Sequence, residues 1–137
     1  MYNQVSNSRK IKIVTAAIIR KQNKFLICQR TEDDECGLLW EFPGGKQVRG
    51  ETLGQCIVRE IKEELELDIK VEDVFTTSVY HFSGYEVHFT VYDAIIKSGI
   101  IKLNVHNDAK WITRDELDDY QFMPPDIVFV DRLKAKL

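Results

Sequence analysis

The chain has 137 residues, of which 44% are hydrophobic and 30% charged, the composition of one globular domain. Its net charge of −3 disfavours binding to a polynucleotide or an anionic membrane surface, and its apolar runs are too short to cross a bilayer. We expect a single domain over residues 11–137, preceded by a flexible lead-in over residues 1–10 that lacks the apolar core of a signal peptide.

The cysteines indicate a reducing compartment. Cys28, Cys36 and Cys56 are odd in number and lack C-x-x-C spacing, so free thiols in the cytoplasm suit the sequence better than a disulfide framework. We expect Cys28, in a predicted strand, and Cys56, on a predicted helix, to be packing residues rather than nucleophiles.

The predicted elements, in chain order, indicate a sheet covered by helices. Apolar, β-branched runs predict two hairpins and one short strand, with strands over residues 12–20, 25–30, 69–81, 85–96 and 110–112. Residues 31–38 form a polar loop, and WEFPGGK at 40–46 is a turn rich in helix breakers. TRDE at 113–116 has the form of a capping box, and Pro124 and Pro125 begin a last helix that extends to about Lys134. This mixture predicts an α/β (α+β) fold.

A longer helix is predicted between the two hairpins. At about 100° per residue, one apolar stripe contains Gly54, Ile57, Val58, Ile61 and Leu65. The helix start can be served by Thr52 or Glu51, because a capping oxygen or a negative charge is favoured there.

Three glutamates occupy the sector beside this stripe. Glu60, Glu63 and Glu64 are three and four residues apart, the spacing that stacks side chains on one helix face. Acidic helix faces are usually solvated, but a divalent cation bound between these carboxylates would relieve their repulsion. Carboxylates are hard oxygen ligands that suit Mg²⁺ or Mn²⁺ rather than zinc. Gly44 and Gly45, before the helix, let the backbone come close to a ligand.

This stretch resembles the Nudix box. The pattern G-x5-E-x7-R-E-U-x-E-E-x-G-U, where U is aliphatic, is matched by Gly45, Glu51, Arg59-Glu60-Ile61, Glu63-Glu64 and Leu67. Glu66 stands where the family has a glycine that ends the helix in a left-handed conformation, and we expect about 1 kcal/mol of backbone strain there. The preceding LLWEFPGGK resembles the MutT-like branch. The resemblance implies the Nudix fold, an α/β/α sandwich with a central mixed sheet.

The resemblance implies a metal site. Glu60 and Glu64 are expected to bind Mg²⁺, or Mn²⁺ in its place, with Glu63 assisting directly or through water. A backbone carbonyl of Gly44 or Gly45 is expected as a further ligand. Glu60 or a nearby carboxylate would also activate the attacking water, and the implied reaction cleaves a nucleoside triphosphate to a monophosphate and pyrophosphate.

Supporting roles are implied for the remaining positions of the box. Arg59 is expected to orient the glutamates by charge-assisted hydrogen bonds, and Glu51 to orient the loop rather than to bind metal. Related sequences often have Glu-His where this chain has Val105-His106, so the additional acidic ligand of some members is missing here. Asp108 is a candidate substitute, with an ordinary loop residue as the alternative.

Nucleotide contacts are implied, less specifically, by the same resemblance, for Arg30, Glu41, Phe42, Gly44, Phe82, Tyr85 and Asp126. Asp126 follows Pro124 and Pro125 where MutT-like enzymes read the base edge, although helix N-capping is an alternative role. An ionised Asp only accepts hydrogen bonds, which suits the amine of cytosine or adenine, or the N7–H of an oxidised guanine. Two substrate hypotheses follow. The first is 8-oxo-dGTP, which implies a role in sanitation of the nucleotide pool. The second is CTP-like nucleotides, including modified dCTP.

Two other functions fit parts of the sequence. One is hydrolysis of another nucleoside diphosphate derivative such as ADP-ribose, and the other is a nucleotide-binding regulator without catalysis, against which the intact Glu60, Glu63 and Glu64 argue. The expected partner is a small-molecule nucleotide, and the chain is expected to be a monomer or a homodimer. His81, His88 and His106 show no pairing or ligand spacing, so we assign them no catalytic task.

Overall fold

A computed structural model describes residues 10–135 of the chain. The strands are β1 Lys10–Lys21, β2 Lys24–Gln29, β3 Trp40–Glu41, β4 Gly44–Lys46, β5 Asp68–Phe82, β6 Tyr85–Ser98 and β7 Asp108–Thr113. The helices are α1 Leu53–Leu65 and α2 Ile127–Ala135, with 3₁₀ helices at Arg114–Asp119 and Pro124–Asp126. The predicted lead-in lies outside the described residues except for Lys10, which begins β1.

Within residues 10–135, the seven strands form one mixed sheet with the central order β3-β2-β1-β6-β5. β1 runs parallel to β6 and antiparallel to β2 and β4, while β7 pairs with β2. The pairing of β1 with β4 places Thr15 beside Gly45 and Ala16 beside Gly44. The glycine turn is therefore held against the central strand of the sheet.

Each face of the sheet carries its own core because successive strand residues point to opposite sides. Ala17 and Ile19 of β1 pack with Ile57, Ile61 and Leu65 of α1 on one face. On the other face, a second cluster combines the alternate β1 residues with the aromatic residues and α2, among them Ala16, Ile18, Phe42, Phe122, Phe129, Val130 and Leu133. The predicted α/β/α sandwich with a central mixed sheet is confirmed.

Both predicted hairpins are confirmed, with Gly84 in the second turn at a positive φ of 84°. Several boundaries differ. Residues 40–46 are two short strands, β3 and β4, rather than only a turn, because Trp40 and Glu41 pair with β2 and the glycines pair with β1. The short strand predicted over residues 110–112 extends from Asp108 to Thr113. The last helix begins as a 3₁₀ turn at Pro124 before it becomes α2.

The apolar stripe of α1 also needs one correction. Val58 was predicted to face the core but is 37% exposed, whereas Cys56 is fully buried. The helix lies with Cys56 against Thr15 of β1, since the Cys56 Sγ and Thr15 Oγ1 are 3.2 Å apart. Cys28 is buried in the same core as α1, so both thiols are packing residues as predicted. None of the helices within residues 10–135 is long and apolar enough to cross a membrane.

Candidate active site

Both ends of α1 are set by its local sequence. Thr52 is the N-cap, whose hydroxyl accepts from the Gln55 backbone N–H at 3.1 Å, and the Gln55 side chain accepts from the Thr52 N–H at 2.9 Å. At the other end, Glu66 adopts the left-handed conformation, with φ 57° and ψ 35°, that the sequence predicted for this position. The acidic residues between these ends therefore project from a helix whose register is fixed.

The glycine turn of β4 touches this acidic face closely. A Cβ atom at Gly45 would overlap the Glu60 carboxylate, and a Cβ at Gly44 would overlap the Thr15 carbonyl oxygen of β1. Glycine is therefore required at position 44, where a Cβ would meet backbone atoms, whereas at position 45 a Cβ would displace the Glu60 carboxylate. The absence of side chains lets β4 present its backbone directly to the carboxylates of α1.

Arg59 connects the loop before α1 to the glutamates on the helix. Its guanidinium donates to both carboxylate oxygens of Glu51, at 2.8 and 2.9 Å, to Glu60 at 2.9 Å and to Glu63 at 3.1 Å. A further bond reaches the Lys46 carbonyl at 3.0 Å. This geometry suits an orienting role, since a planar guanidinium with several fixed bonds holds its partners in one arrangement.

Glu51 holds the loop as well as the arginine. Its Oε1 accepts from the Val48 backbone N–H at 2.9 Å. Hydrogen bonds from Arg59 and from that N–H lower the pKa of Glu51 to about 2, because both stabilise its ionised form. Glu51 is therefore ionised, and both of its carboxylate oxygens are hydrogen-bonded to Arg59 or to the loop.

Glu64 is in a different environment. Burial, a hydrogen bond shared with Glu60 and the charges of Glu60 and Glu41 raise the pKa of Glu64 to about 9. Its Oε1 is buried and has no hydrogen-bond partner among the described residues. Glu64 is thus a carboxyl group placed beside other carboxylates without a compensating cation.

The donor set fits a hard divalent cation. Within residues 10–135, no three His, Cys, Asp or Glu side chains form a ready-made ligand cluster, and Arg59 engages Glu60 and Glu63 instead. Three features nevertheless suit a bound cation. They are the buried Glu64 oxygen without a hydrogen-bond partner among the described residues, the raised pKa of Glu64 caused by burial and by Glu60, and the close approach of the Gly45 backbone to the Glu60 carboxylate. Glu60, Glu64 and a β4 carbonyl are the residues that fit it.

A cavity of about 510 Å³ opens beside Glu64 on the α2 face of the sheet. Among the predicted nucleotide contacts, it is lined by Arg30, Glu41, Phe42, Gly44, Phe82, Tyr85 and Asp126, together with Gly45 and Glu64 of the predicted metal site. The fold therefore brings all seven predicted substrate contacts to one cavity. Asp108 does not line it, and its Oδ1 accepts instead from the Ala109 backbone N–H at 2.8 Å.

Asp126 is buried and lines the cavity. Its Oδ2 accepts from the Phe42 backbone N–H at 2.8 Å, so the side chain bonds to the β3–β4 connection rather than capping α2. Burial raises the pKa of the Asp126 carboxyl well above its ordinary value, and the nearby charge of Glu41 acts in the same direction. Phe42 stacks on Phe122 at 5.5 Å, which fixes the position of this contact.

Arg30 and Glu41 form a charged network on the cavity wall. Arg30 donates to Glu41 at 3.0 Å and to both oxygens of Asp34 at 2.6 and 2.7 Å. The second Glu41 oxygen lies 2.8 Å from Nε2 of His106, whose side chain is only 4% exposed. No role was predicted for His106 or Asp34, because neither residue belongs to a motif whose spacing indicates this network.

The β5–β6 hairpin contributes aromatic residues to the lining of the cavity. Phe82 and Tyr85 stack with centroids 4.9 Å apart and planes inclined by 9°, and the Lys12 ammonium lies 4.1 Å from the centroid of the Tyr85 ring. All three residues line the cavity. Aromatic rings in this place offer a planar surface to a base or a sugar.

Comparison with known proteins gives a consistent result. The family model described as NUDIX domain matches residues 14–132. The CTP pyrophosphohydrolase of Escherichia coli (strain K12) is 30% identical over 122 residues, which cover 89% of this chain and 90% of that protein. The 8-oxo-dGTP diphosphatase of Haemophilus influenzae is 29% identical over 133 residues, covering 91% of this chain and 93% of that protein.

Among solved structures, the solution structure of the E. coli ORF135 protein matches with a TM-score of 0.82 and 30% identity, covering 94% of this chain and 92% of that one.

Proposed function

This chain belongs to the Nudix hydrolase family, and from its site we propose that it is a MutT-like, Mg²⁺-dependent pyrophosphohydrolase. It converts a nucleoside or deoxynucleoside triphosphate to the monophosphate and pyrophosphate. The observation that carries the proposal is that the acidic side chains of α1 lie next to a cavity suited to a base. The carboxyl group of Glu64, beside Glu60 and the glycine turn, lines the same cavity as the aromatic and acidic residues suited to a base.

The proposed roles follow from these contacts. A divalent cation, when bound, neutralises charge on phosphoryl oxygens and lowers the pKa of a water molecule. Glu60 and Glu64 hold it, with Glu63 assisting and the carbonyl of Gly44 or Gly45 as a further ligand. Glu60 or a neighbouring carboxylate accepts the proton of the attacking water.

The supporting residues act through the glutamates. Arg59 keeps Glu60 and Glu63 oriented through bonds of 2.9 and 3.1 Å, and Glu51 fixes Arg59 in turn. Lys46 and Arg30 line the cavity as cations that can contact the phosphate chain. Mn²⁺ can replace Mg²⁺ because both prefer oxygen ligands.

We propose two substrate classes that share one recognition feature. CTP, or a modified dCTP, offers an exocyclic amine where UTP has a carbonyl oxygen, and 8-oxo-dGTP offers an N7–H where dGTP has an acceptor. Burial raises the pKa of the Asp126 carboxyl, and once this group has lost its proton the oxygen not bonded to Phe42 can accept such an N–H. Relatives named for each activity support both classes, and the free cysteines support action on the nucleotide pool in the cytoplasm.

The test is a turnover assay with Mg²⁺ and the pairs CTP/UTP and 8-oxo-dGTP/dGTP, with product analysis. Release of pyrophosphate and a monophosphate is expected, with a higher kcat/KM for the first member of at least one pair. Two monophosphates from ADP-ribose, without pyrophosphate release from any triphosphate, would instead indicate a diphosphate-linked substrate. No hydrolysis of any nucleotide would refute the proposal.

The glutamates provide the matched variants for this assay. We expect Glu60→Gln and Glu64→Gln each to lower turnover at least about 100-fold, because each removes a ligand or a base. The control is Glu72→Gln, an exposed residue of β5 outside the cavity, which is expected to leave the rate unchanged. Rates near wild type in both active-site variants would contradict the assigned roles.

A further inference from the structure

His106 is held rigidly at the cavity wall by its neighbours in the loop before β7. The Asn104 backbone N–H donates to the Glu64 carbonyl at 3.1 Å, and the Asn107 backbone N–H donates to the Gln29 carbonyl at 2.8 Å. His106 thus lies between one anchor on α1 and another on β2. Its imidazole is 4% exposed and lines the cavity.

The imidazole fixes the orientation of the Glu41 carboxylate. His106 Nε2 lies 2.8 Å from Glu41 Oε2, while Arg30 Nη1 donates to Glu41 Oε1 at 3.0 Å. Because an ionised carboxylate can only accept, the proton of this contact is assigned to Nε2. Each Glu41 oxygen then has one fixed donor and a lone pair left for a ligand.

A role in packing alone does not account for an imidazole here. Its Nδ1 is buried and has no hydrogen-bond partner among the described residues, which is unfavourable for a polar nitrogen. An apolar side chain would fill the same space without that penalty. The contact with Glu41 is what the imidazole adds.

Glu41, Glu64 and Asp126 line the same cavity. Asp126 accepts a hydrogen bond at 2.8 Å from the backbone N–H of Phe42, the residue that directly follows Glu41, so Glu41 and Asp126 lie near each other. We propose that His106 is a positioning residue for base recognition, which holds the Glu41 carboxylate beside Asp126 so that both acidic side chains meet the N–H edge of the base. This inference rests on the proposed function. It adds His106 as the residue that orients Glu41 for bases that present an N–H to the acidic side chains.

The test compares His106→Gln with His106→Asn. The Gln amide nitrogen reaches approximately the place of Nε2 and can still donate to Glu41, whereas the Asn amide reaches only the place of Nδ1. Dissociation constants for CMP, UMP, 8-oxo-dGMP and dGMP are measured by calorimetry, since binding of these monophosphates requires no turnover. Thermal unfolding of each variant is recorded in parallel.

We expect His106→Asn to reduce the preference for CMP over UMP, or for 8-oxo-dGMP over dGMP, by roughly tenfold. His106→Gln is expected to stay within about threefold of the wild-type preference. Glu41→Gln, which lacks the ionised acceptor, is expected to lose the preference as well. It supplies the second variant if His106→Asn does not fold.

A matched control is present elsewhere in the chain. His88 Nε2 lies 2.7 Å from Glu86 Oε1, a contact of the same kind outside the cavity, so His88→Asn is expected to leave the preference unchanged. The inference would be overturned if His106→Asn or Glu41→Gln kept the wild-type nucleotide preference. It would also be overturned if both His106 variants lost the preference equally, or if the wild type showed no preference. Pyrophosphate release from triphosphates would still stand as the separate test of the proposed function.

Discussion

Arg59 shows how a single side chain can organise several acidic ones. It contacts Glu51, Glu60 and Glu63 at once, and it donates two bonds to Glu51 but only one to each of the others. The carboxylate of Glu51 is thereby ionised and paired with the arginine, whereas the buried Oε1 of Glu64 has no hydrogen-bond partner among the described residues. Two glutamates of one motif therefore differ in charge, since Glu51 is ionised whereas the pKa of Glu64 is raised. A bound metal ion would stabilise the ionised form of Glu64 most.

If Asp126 reads the base as proposed, base preference can be changed at this residue without altering the proposed metal ligands. Asn at this position both donates and accepts, and its amide can keep the contact with the Phe42 N–H. We expect Asp126→Asn to lower the CTP/UTP or the 8-oxo-dGTP/dGTP ratio of kcat/KM roughly tenfold, with turnover of the preferred triphosphate largely retained.

The measurement for Asp126 is steady-state kinetics on both nucleotide pairs. Asp131→Asn, an exposed residue of α2, serves as the control. An unchanged ratio in Asp126→Asn would remove this side chain from base recognition and leave its bond to Phe42 as its only assigned task.

Many of the candidate site residues could be predicted from the sequence, because the spacing of the motif determines which side chains lie on the same helix face. Asp126 lies in the cavity where the resemblance predicted, but its bond to Phe42 rather than to α2 depends on a contact between residues 84 positions apart. His106 was missed for the same reason, because its partner Glu41 lies 65 positions away in the sequence. Asp34 is only four positions from its partner Arg30, but it lies in a polar loop where no motif singles it out.

The end of α1 is a strained element. Glu66 has a left-handed backbone conformation, which disfavours any residue with a Cβ, while its side chain accepts from Asn104 at 3.1 Å. We expect Glu66→Gly to raise the free energy of unfolding by roughly 0.5–1 kcal/mol. The gain comes from relief of backbone strain and is reduced by the lost contact with Asn104.

Urea unfolding of Glu66→Gly and Glu66→Ala measures that strain. Both variants lose the side-chain contact with Asn104, but only glycine relaxes the backbone, so the difference between them isolates the conformational effect. If the alanine variant proved as stable as the glycine variant, the helix end would not be strained.

Element types were more predictable than element boundaries. The hairpins and α1 follow from periodicity and turn residues, whereas β3 and β4 exist because β2 and β1 supply hydrogen-bond partners to a segment that reads locally as a turn. Val58 was assigned to the buried stripe because it lies within the apolar sector, yet the helix is rotated so that Cys56 faces the sheet instead.

For the whole molecule, the buried carboxyl groups predict an unusual pH dependence of stability. The folded pKa of Glu64 is raised to about 9, so between the ordinary carboxyl range and that value the folded state binds more protons than the unfolded state. The stability of the metal-free protein therefore decreases as pH rises through this window. The raised pKa of Asp126 acts with the same sign.

Chemical unfolding in EDTA from pH 5 to pH 8.5 measures this effect. We expect the free energy of unfolding to fall by on the order of 1 kcal/mol per pH unit, and Mg²⁺ to restore stability most strongly at high pH. In Glu64→Gln, the part of the pH dependence of the free energy of unfolding that comes from Glu64 is expected to disappear, and the part that comes from Asp126 is expected to remain. An equal slope in wild type and Glu64→Gln would show that Glu64 is not a buried acid.

The overall architecture could be anticipated because strands mixed with helices predict a sheet covered by helices, and because the resemblance to the Nudix box implies an α/β/α sandwich. The cavity could not be anticipated, since it is formed where β1, β6, the β3–β4 connection and the turn before α2 meet. Its lining combines residues from positions 12 to 126, and only the tertiary pairing of β1 with both β4 and β6 brings them together.

The claim on which the account depends is that Glu60 and Glu64, beside the glycine turn, bind a hard divalent cation. Titration of Mn²⁺ followed by electron paramagnetic resonance measures that binding directly and without substrate. We predict that the wild-type protein removes the signal of free Mn²⁺ and that Glu60→Gln and Glu64→Gln each weaken binding at least about tenfold, while Glu72→Gln binds as the wild type does. Equal Mn²⁺ affinity in all four proteins, or no binding by the wild type, would contradict the account.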